Sequence, residues 1–236
     1  MKRMKASERL CLALDFATRG EVLNAARRFS GKAGWLKIGL EAFVAGGPSL
    51  VAEVAATGAR VFLDLKFHDI PTTVERAVAS ALGSGAAMLS VHAMGGRAML
   101  EAASRARGTH PIRIVAVTLL TSLDAPALAD LPIAGHPEGI ARRLAVLARD
   151  CGLDGVVCSA TDLPAIRAAC GEDFFTVVPG IRPAGSPPAD QKRTASAGEA
   201  VAAGADLLVV GRPVTAAPDP EGALERLLAE IESSCK

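Results

Sequence analysis

The sequence predicts an α/β protein with a single domain, residues 1–236, folded as a closed (β/α)8 TIM barrel. Eight short apolar runs alternate with eight longer stretches of helical period, the pattern of strand-helix pairs. A length of 236 residues suits one barrel without a second core. Half of the residues are hydrophobic but only 3% are aromatic, so a core of Ala, Val, Leu and Ile is expected, as in strands buried on both faces.

The elements follow one another in a regular order. Strands are predicted at 10–16, 35–38, 60–66, 87–92, 112–118, 155–159, 174–179 and 207–211. Helices are predicted at 19–30, 41–57, 72–84, 95–107, 137–151, 161–170, 196–204 and 220–233. Glycines precede several strands, where they tolerate the left-handed conformation that ends a helix, at Gly58, Gly85, Gly152 and Gly204.

Two connections are longer than the others, 119–136 after strand five and 181–195 after strand seven. Barrel enzymes place their chemistry at the carboxyl ends of the strands, so both connections are candidate lids over a site.

Charge and cysteine content narrow the class of protein. The 26 basic and 25 acidic residues give a formal charge of +1, which leaves no basic excess for nucleic acid or an anionic membrane. No apolar run is long enough to cross a bilayer, and no signal segment is recognisable. The five cysteines have no CxxC spacing, so a reduced cytoplasmic protein is expected.

Charged residues interrupt the carboxyl ends of the predicted strands. They are Asp15, Lys37, Asp64 and Lys66, with His92 after strand four. A buried charge without a partner is costly, so these residues indicate either a ring of structural salt bridges or a functional site. Both interpretations are physically sound on the pattern alone.

Asp64 and Lys66 are separated by one residue, so in a regular strand both side chains lie on one face. A carboxylate beside an ammonium keeps both charged, and a lysine held this way can give a proton to a nearby carbanion. Asp69 lies just past the strand and could face its own site or a partner's. His68 has the odd offset and is expected to be structural rather than a general base.

No spacing of His, Cys, Asp or Glu indicates a metal, and no nucleophile-elbow sequence marks an acyl-enzyme site. Instead, Gly-Ile-Arg-Pro at 180–183 and Gly-Arg-Pro at 211–213 follow strands seven and eight, where barrels of this kind often bind phosphate. Arg182 and Arg212 add charge there, and Gln191 could donate to the same anion. The alternative is that both turns are ordinary connections with solvated arginines.

The segment DLKFHDIPTTV at 64–74 resembles the signature of the bacterial orotidine 5′-monophosphate decarboxylase family. The resemblance covers nearly the whole chain, and no motif position departs from it. The matching segments, in the expected order, are LD at 14–15, LKIG at 36–39, TLLTS at 118–122, PGIR at 179–182 and VGR at 210–212.

The resemblance implies conversion of orotidine 5′-monophosphate (OMP) to uridine 5′-monophosphate (UMP), with Lys66 as proton donor and no metal or cofactor. It also implies a homodimer in which Asp69, Ile70 and Thr73 enter the neighbouring subunit's site. The catalytic residues it implies are Lys66, Asp64, Asp69 and Lys37. The substrate-binding residues it implies are Asp15 and Lys37 at the ribose, Asp64, Ile70 and Thr73 nearby, Thr121 and Ser122 at the pyrimidine, and Pro179, Arg182, Gln191, Gly211 and Arg212 at the phosphate.

Two other functions compete with this one. Sugar-phosphate decarboxylases and aldolases of the same barrel resemble this chain in Asp-x-Lys-x-x-Asp but use magnesium. They carry a metal-binding carboxylate where this chain has Lys37, and a lysine there would repel the cation. A non-catalytic phosphate-binding barrel is the third possibility, because a fold does not establish turnover. Asp64, Lys66 and Asp69 argue against it.

Overall fold

In the computed structural model, which describes residues 4–183 and 192–234, eight parallel strands close into one barrel in chain order. The strands are β1 (Leu10–Ala13), β2 (Trp35–Ile38), β3 (Arg60–Phe67), β4 (Met88–His92), β5 (Arg113–Val117), β6 (Gly155–Val157), β7 (Phe175–Val178) and β8 (Leu207–Val210). Pairing of Cys11 with Val209 joins β1 to β8 and closes the ring. The predicted (β/α)8 fold is confirmed.

The predicted strands differ from the observed ones mainly at their carboxyl ends. Five predicted runs continue past the last paired residue by one to three positions, most of all in β1, which ends at Ala13. The apolar residues continue beyond the last residue of the strand because they stay packed where the chain turns into the loops above the barrel. Only β3 runs longer than predicted, to Phe67.

All eight predicted helices are present, with ends shifted by up to three residues. They are α1 (Arg19–Phe29), α2 (Leu40–Ala55), α3 (Pro71–Ala81), α4 (Gly96–Arg107), α6 (Pro137–Asp150), α7 (Leu163–Cys170), α8 (Ala197–Ala202) and α10 (Pro220–Ser234). Two short α-helices in the described part of the chain were not predicted, α5 (Ala125–Ala129) and α9 (Arg212–Thr215). Both carry proline in the first turn but are too short to show a helical period.

The core has two layers, and β1 illustrates how they arise. Leu10 and Leu12 point outwards and pack under the helices, whereas Cys11 and Ala13 point into the barrel. The inner layer also contains Trp35, Phe62, Met88, Val115, Val117, Val157, Val177, Leu207 and Val209. These side chains fill the barrel interior, so polar side chains gather at the carboxyl ends of the strands. Within the described ranges, no helix is both long and apolar enough to span a membrane.

We predict that Gly155→Ala weakens the fold at the contact between β6 and β7. A Cβ atom at Gly155 would lie 2.0 Å from the backbone oxygen of Phe175, so one strand must shift. The expected loss is roughly 1–3 kcal/mol in the free energy of unfolding, measured by urea denaturation.

Gly20→Ala in α1 is the matched control, because a Cβ there meets nothing within 4 Å. Its free energy of unfolding should stay the same or rise by up to about 1 kcal/mol, since alanine is the better helix former. Equal stability of the Gly155→Ala variant and the wild type would contradict the packing described for these strands.

Candidate active site

A cavity of about 550 Å³ opens at the carboxyl ends of the strands. Four of its lining residues carry the charges singled out in the sequence, namely Asp15, Lys37, Asp64 and Lys66. Five further sequence-predicted residues also line it, namely Thr121, Pro179, Arg182, Gly211 and Arg212. The chain therefore brings nine of the expected residues around one space.

The four charged side chains form a row of alternating sign. The Lys37 Nζ lies 3.0 Å from Asp15 Oδ1 and 3.7 Å from Asp64 Oδ2. The Lys66 Nζ lies 2.9 Å from the same Asp64 oxygen. Asp64 and Lys37 are each only 11% exposed in their side chains, whereas Asp15 is 53% exposed. The row thus runs from a solvent-facing carboxylate to a buried one flanked by two ammonium groups.

Burial and charge act in opposite directions on this row. Burial alone raises the pKa of Asp64, but the charges of Lys37 and Lys66, with hydrogen bonds from Lys66 and Ser90, outweigh it and hold that pKa below its ordinary value. Burial likewise lowers the pKa of Lys37, yet Asp64 and Asp15 reverse the effect and raise it. Asp64 is therefore ionised and Lys37 protonated at neutral pH.

The backbone around Lys66 departs from regular strand geometry. Among the described residues, Lys66 is the only one other than glycine with a positive φ, 51°. The register between β3 and β4 shifts between Leu63 and Phe67, which marks a bulge. Asp64 and Lys66 do lie side by side, as predicted. The prediction assumed the two-residue period of a regular strand, however, and that reason was wrong. The two side chains meet across a bulge.

Two residues of this region, Ser90 and Gly39, are not among the site residues predicted from the sequence. Ser90 on β4 is completely buried, and its hydroxyl donates to Asp64 Oδ1 at 2.8 Å. A Cβ at Gly39 would lie 2.9 Å from Lys37 Nζ and 3.0 Å from Asp15 Oδ1, so a larger residue there would displace the first ion pair of the row from its present position. A buried serine within an apolar strand was the one available signal for Ser90, and Gly39 occurs within the matching segment LKIG.

The turns after β7 and β8 lie beside each other because those strands pair. Gly180 has a φ of 81°, which favours glycine, and Gly211 precedes α9. The backbone N–H of Arg182 donates to the Ala195 carbonyl at 2.9 Å, joining the two ends of the loop after β7. Gln191, expected at the phosphate, lies outside the described residues.

The loop after β5 is joined to the end of the loop after β7. The carbonyl of Thr121 accepts from the backbone N–H groups of Lys192 and Arg193 at 3.1 and 3.2 Å. The Arg193 guanidinium pairs with the buried Asp162 at 2.7 Å. Ser122, predicted at the pyrimidine, does not line the cavity. The predicted lids thus meet through Thr121, which lines the cavity itself.

Asp69, Ile70 and Thr73 are exposed and do not line the cavity of their own chain. His68 stacks on His92, with ring centroids 5.3 Å apart, and neither ring lines the cavity. Burial, helped by the charges of His68 and Lys66, lowers the pKa of His92 to about 4, so its ring is neutral at neutral pH. In the part of the chain that the structure describes, no three His, Cys, Asp or Glu residues are arranged to hold a metal ion.

Comparison with known proteins gives concordant matches. The family model described as "Orotidine 5′-phosphate decarboxylase / HUMPS family" matches residues 8–227. The chain is 48% identical to the orotidine 5′-phosphate decarboxylase of Nitrosococcus oceani over 227 residues, 95% of this chain and 98% of that protein. It is 52% identical to the protein of the same name from Anaeromyxobacter sp. strain K over 228 residues, 97% and 100% of the two chains.

Among solved structures, orotidine 5′-phosphate decarboxylase from Lactobacillus acidophilus matches with a TM-score of 0.79 and 30% identity, covering 94% of this chain and 98% of that one. The sequence matches and the fold extend over nearly the whole chain. The curated relatives carry the name of a carboxy-lyase. This chain belongs to the orotidine 5′-phosphate decarboxylase / HUMPS family.

Proposed function

We propose that this chain, acting as one domain over residues 1–236, converts OMP to UMP, the last step of de novo UMP synthesis. The reaction uses neither metal nor cofactor, and Lys66 is the proton donor. The observation that carries the proposal is the Lys66 ammonium, 2.9 Å from the buried Asp64 carboxylate at the wall of the cavity. The names of the curated relatives support the same substrate.

The chemistry explains why an ammonium is needed at that position. Loss of carbon dioxide breaks a carbon-carbon bond and leaves an electron pair that the pyrimidine ring cannot delocalise well. A cation fixed in advance stabilises the developing charge without having to reorganise. Lys66 then transfers its proton to that carbon, and a carbon-hydrogen bond replaces the bond to carbon dioxide. Asp64, 2.9 Å from the Lys66 ammonium, holds that group in position until that step.

The other residues predicted for the site would bind the rest of the nucleotide. Asp15 and Lys37 contact the ribose hydroxyls, while Thr121 contacts the pyrimidine. Arg182, Gln191, Gly211 and Arg212 hold the phosphate beside Pro179. Binding energy from the phosphate, far from the reacting carbon, can organise the site and draw the loop of residues 182–195 over it.

The magnesium-dependent sugar-phosphate reaction is the main alternative within the family. The position of Lys37 argues against it, because its ammonium lies within 3.7 Å of Asp64 and 3.0 Å of Asp15. A divalent cation bound by these carboxylates would face a fixed positive charge. Metal-free decarboxylation has no such conflict.

The first experiment follows the ultraviolet absorbance of OMP with purified protein in excess chelator. The wild type should consume OMP, and Lys66→Ala should lose at least about four orders of magnitude in kcat, because both the cation and the proton donor are removed.

The control for folding is UMP binding, measured by calorimetry, which the variant should retain. Absence of turnover with chelator, combined with activity on a keto-sugar phosphate after magnesium is added, would replace the proposal with the magnesium-dependent reaction. UMP binding without turnover of either substrate would indicate a non-catalytic phosphate-binding barrel.

A second prediction concerns Arg212, which lines the cavity at the turn after β8. Arg212→Ala should lower kcat/KM for OMP roughly 10- to 100-fold, as expected for loss of a charge-assisted hydrogen bond to phosphate. Arg142→Ala on the exposed face of α6 is the control and should leave kcat/KM unchanged. Equal effects of the two substitutions would exclude Arg212 from the phosphate site.

We also propose that the active unit is a homodimer in which Asp69, Ile70 and Thr73 complete the partner's site. All three are exposed, and Ile70 leaves 67% of its surface uncovered. Such an apolar side chain beside the site suits an interface. Asp69 would then extend the row of alternating charges from the neighbouring subunit.

Mixing two inactive variants tests the shared site. Lys66→Ala and Asp69→Ala subunits, unfolded and refolded together, should regain about one quarter of wild-type activity. Random pairing makes about half of the dimers mixed, and each mixed dimer has one intact site of its two. Lys66→Ala mixed with Asp64→Ala is the matched control and should regain none, since both residues then belong to the same subunit's half of the site. Equal recovery in the two mixtures would contradict the exchange of Asp69.

A further inference from the structure

Ser90 is the only residue of β4 that faces the irregular segment of β3. Leu63 pairs with Leu89 and Phe67 pairs with Val91, so Asp64, Leu65 and Lys66 together oppose Ser90. Regular ladder bonding cannot continue where three residues face one. The backbone groups of the bulge need other partners, because buried polar groups without one are costly.

The Ser90 hydroxyl supplies one of these partners. The backbone N–H of Lys66 donates to Ser90 Oγ at 2.9 Å, in the position where a regular strand would use a carbonyl. Lys66 at that point has a φ of 51°, a conformation that a non-glycine residue holds only when its surroundings impose it. Ser90 is therefore part of what keeps the Lys66 backbone in its left-handed conformation.

The same hydroxyl also fixes the Asp64 carboxylate. Its oxygen accepts from Lys66, and its single proton goes to Asp64 Oδ1 at 2.8 Å. The other carboxylate oxygen, Oδ2, is the one that contacts Lys66 Nζ at 2.9 Å and Lys37 Nζ at 3.7 Å. One hydroxyl thus connects the backbone of the lysine to the carboxylate that holds its side chain.

We propose that Ser90 is a positioning residue that aligns Asp64 and Lys66 for proton transfer through these two hydrogen bonds. The inference rests on the proposed decarboxylation. Ser90 does not line the cavity, so it acts through its neighbours and not on the substrate. The completely buried Ser90 on β4 thus helps to hold the row of charges on the cavity wall in position.

The test compares Ser90→Ala with Ser90→Thr and with Ser84→Ala. The first substitution removes the hydroxyl, and the second restores it with one added methyl group. Ser84 is the matched control, because its buried hydroxyl also binds backbone groups, Ala81 and Ala86, but precedes β4 at the end remote from the cavity.

In Ser90→Ala, kcat should fall about 10- to 100-fold while KM for OMP and the affinity for UMP change little, since only the reacting end is misaligned. The acidic limb of the kcat/KM profile should move to higher pH, because a hydrogen bond that stabilises ionised Asp64 is lost. Ser90→Thr should recover part of kcat, and Ser84→Ala should keep wild-type kcat whatever its thermal stability.

A crystal structure of Ser90→Ala provides a readout that does not depend on turnover. We expect that in this variant the Asp64 carboxylate rotates or the Lys66 backbone leaves its positive φ. Unchanged geometry, or a kcat equal to that of Ser84→Ala, would overturn it. If the wild type itself fails to decarboxylate OMP, the proposed function falls, whereas this structure still decides whether Ser90 holds the two residues.

Discussion

The arrangement of the cavity depends on a single buried carboxylate. Asp64 lies in the carboxyl-terminal half of β3 with 11% of its side chain exposed, where an unpaired negative charge would be strongly unfavourable. Two ammonium groups and a hydroxyl surround it, and each comes from a different place in the chain: Lys37 on β2, Lys66 on β3 and Ser90 on β4. The ion pair with Lys37 therefore ties β3 to β2, and the hydrogen bond from Ser90 ties β3 to β4, at the mouth of the barrel.

Compensation for burial also explains why the row extends as far as Asp15. Lys37 is as buried as Asp64, which lowers its pKa, and the negative charges of Asp64 and Asp15 on its two sides reverse that effect. Asp15 supplies the second carboxylate from beyond β1, and Gly39 leaves the room for their contact. Each charge in the row thus offsets the cost of burying the next one. Together they allow a charged lysine at the end of a barrel whose interior is otherwise apolar.

Strain and packing have complementary roles in the barrel. The interior below the charged row is filled by apolar side chains such as Phe62, Met88 and Val115, which leave little freedom for strands to slide. The bulge at Lys66 lies between regular paired segments of β3 and β4, and its backbone is held by Ser90. The irregular backbone beside the cavity is stable because the surrounding strands are regular.

Sequence alone determined the order of the strands and helices and the residues that gather at one end of the barrel. Apolar runs with a charged residue at the carboxyl end identify both, because parallel strands must bury their faces and present their ends together. The short helices α5 and α9 escaped this reasoning, since helices of five and four residues have no measurable period.

Only the tertiary structure decided how Asp64 and Lys66 meet. The sequence placed them two residues apart in a strand, but their contact arises across a bulge whose geometry depends on the register of β4. The roles of Ser90 and Gly39 were likewise decided only by the tertiary structure. Their importance comes from contacts with residues distant in the chain or from the room they leave, and no local pattern encodes such contacts.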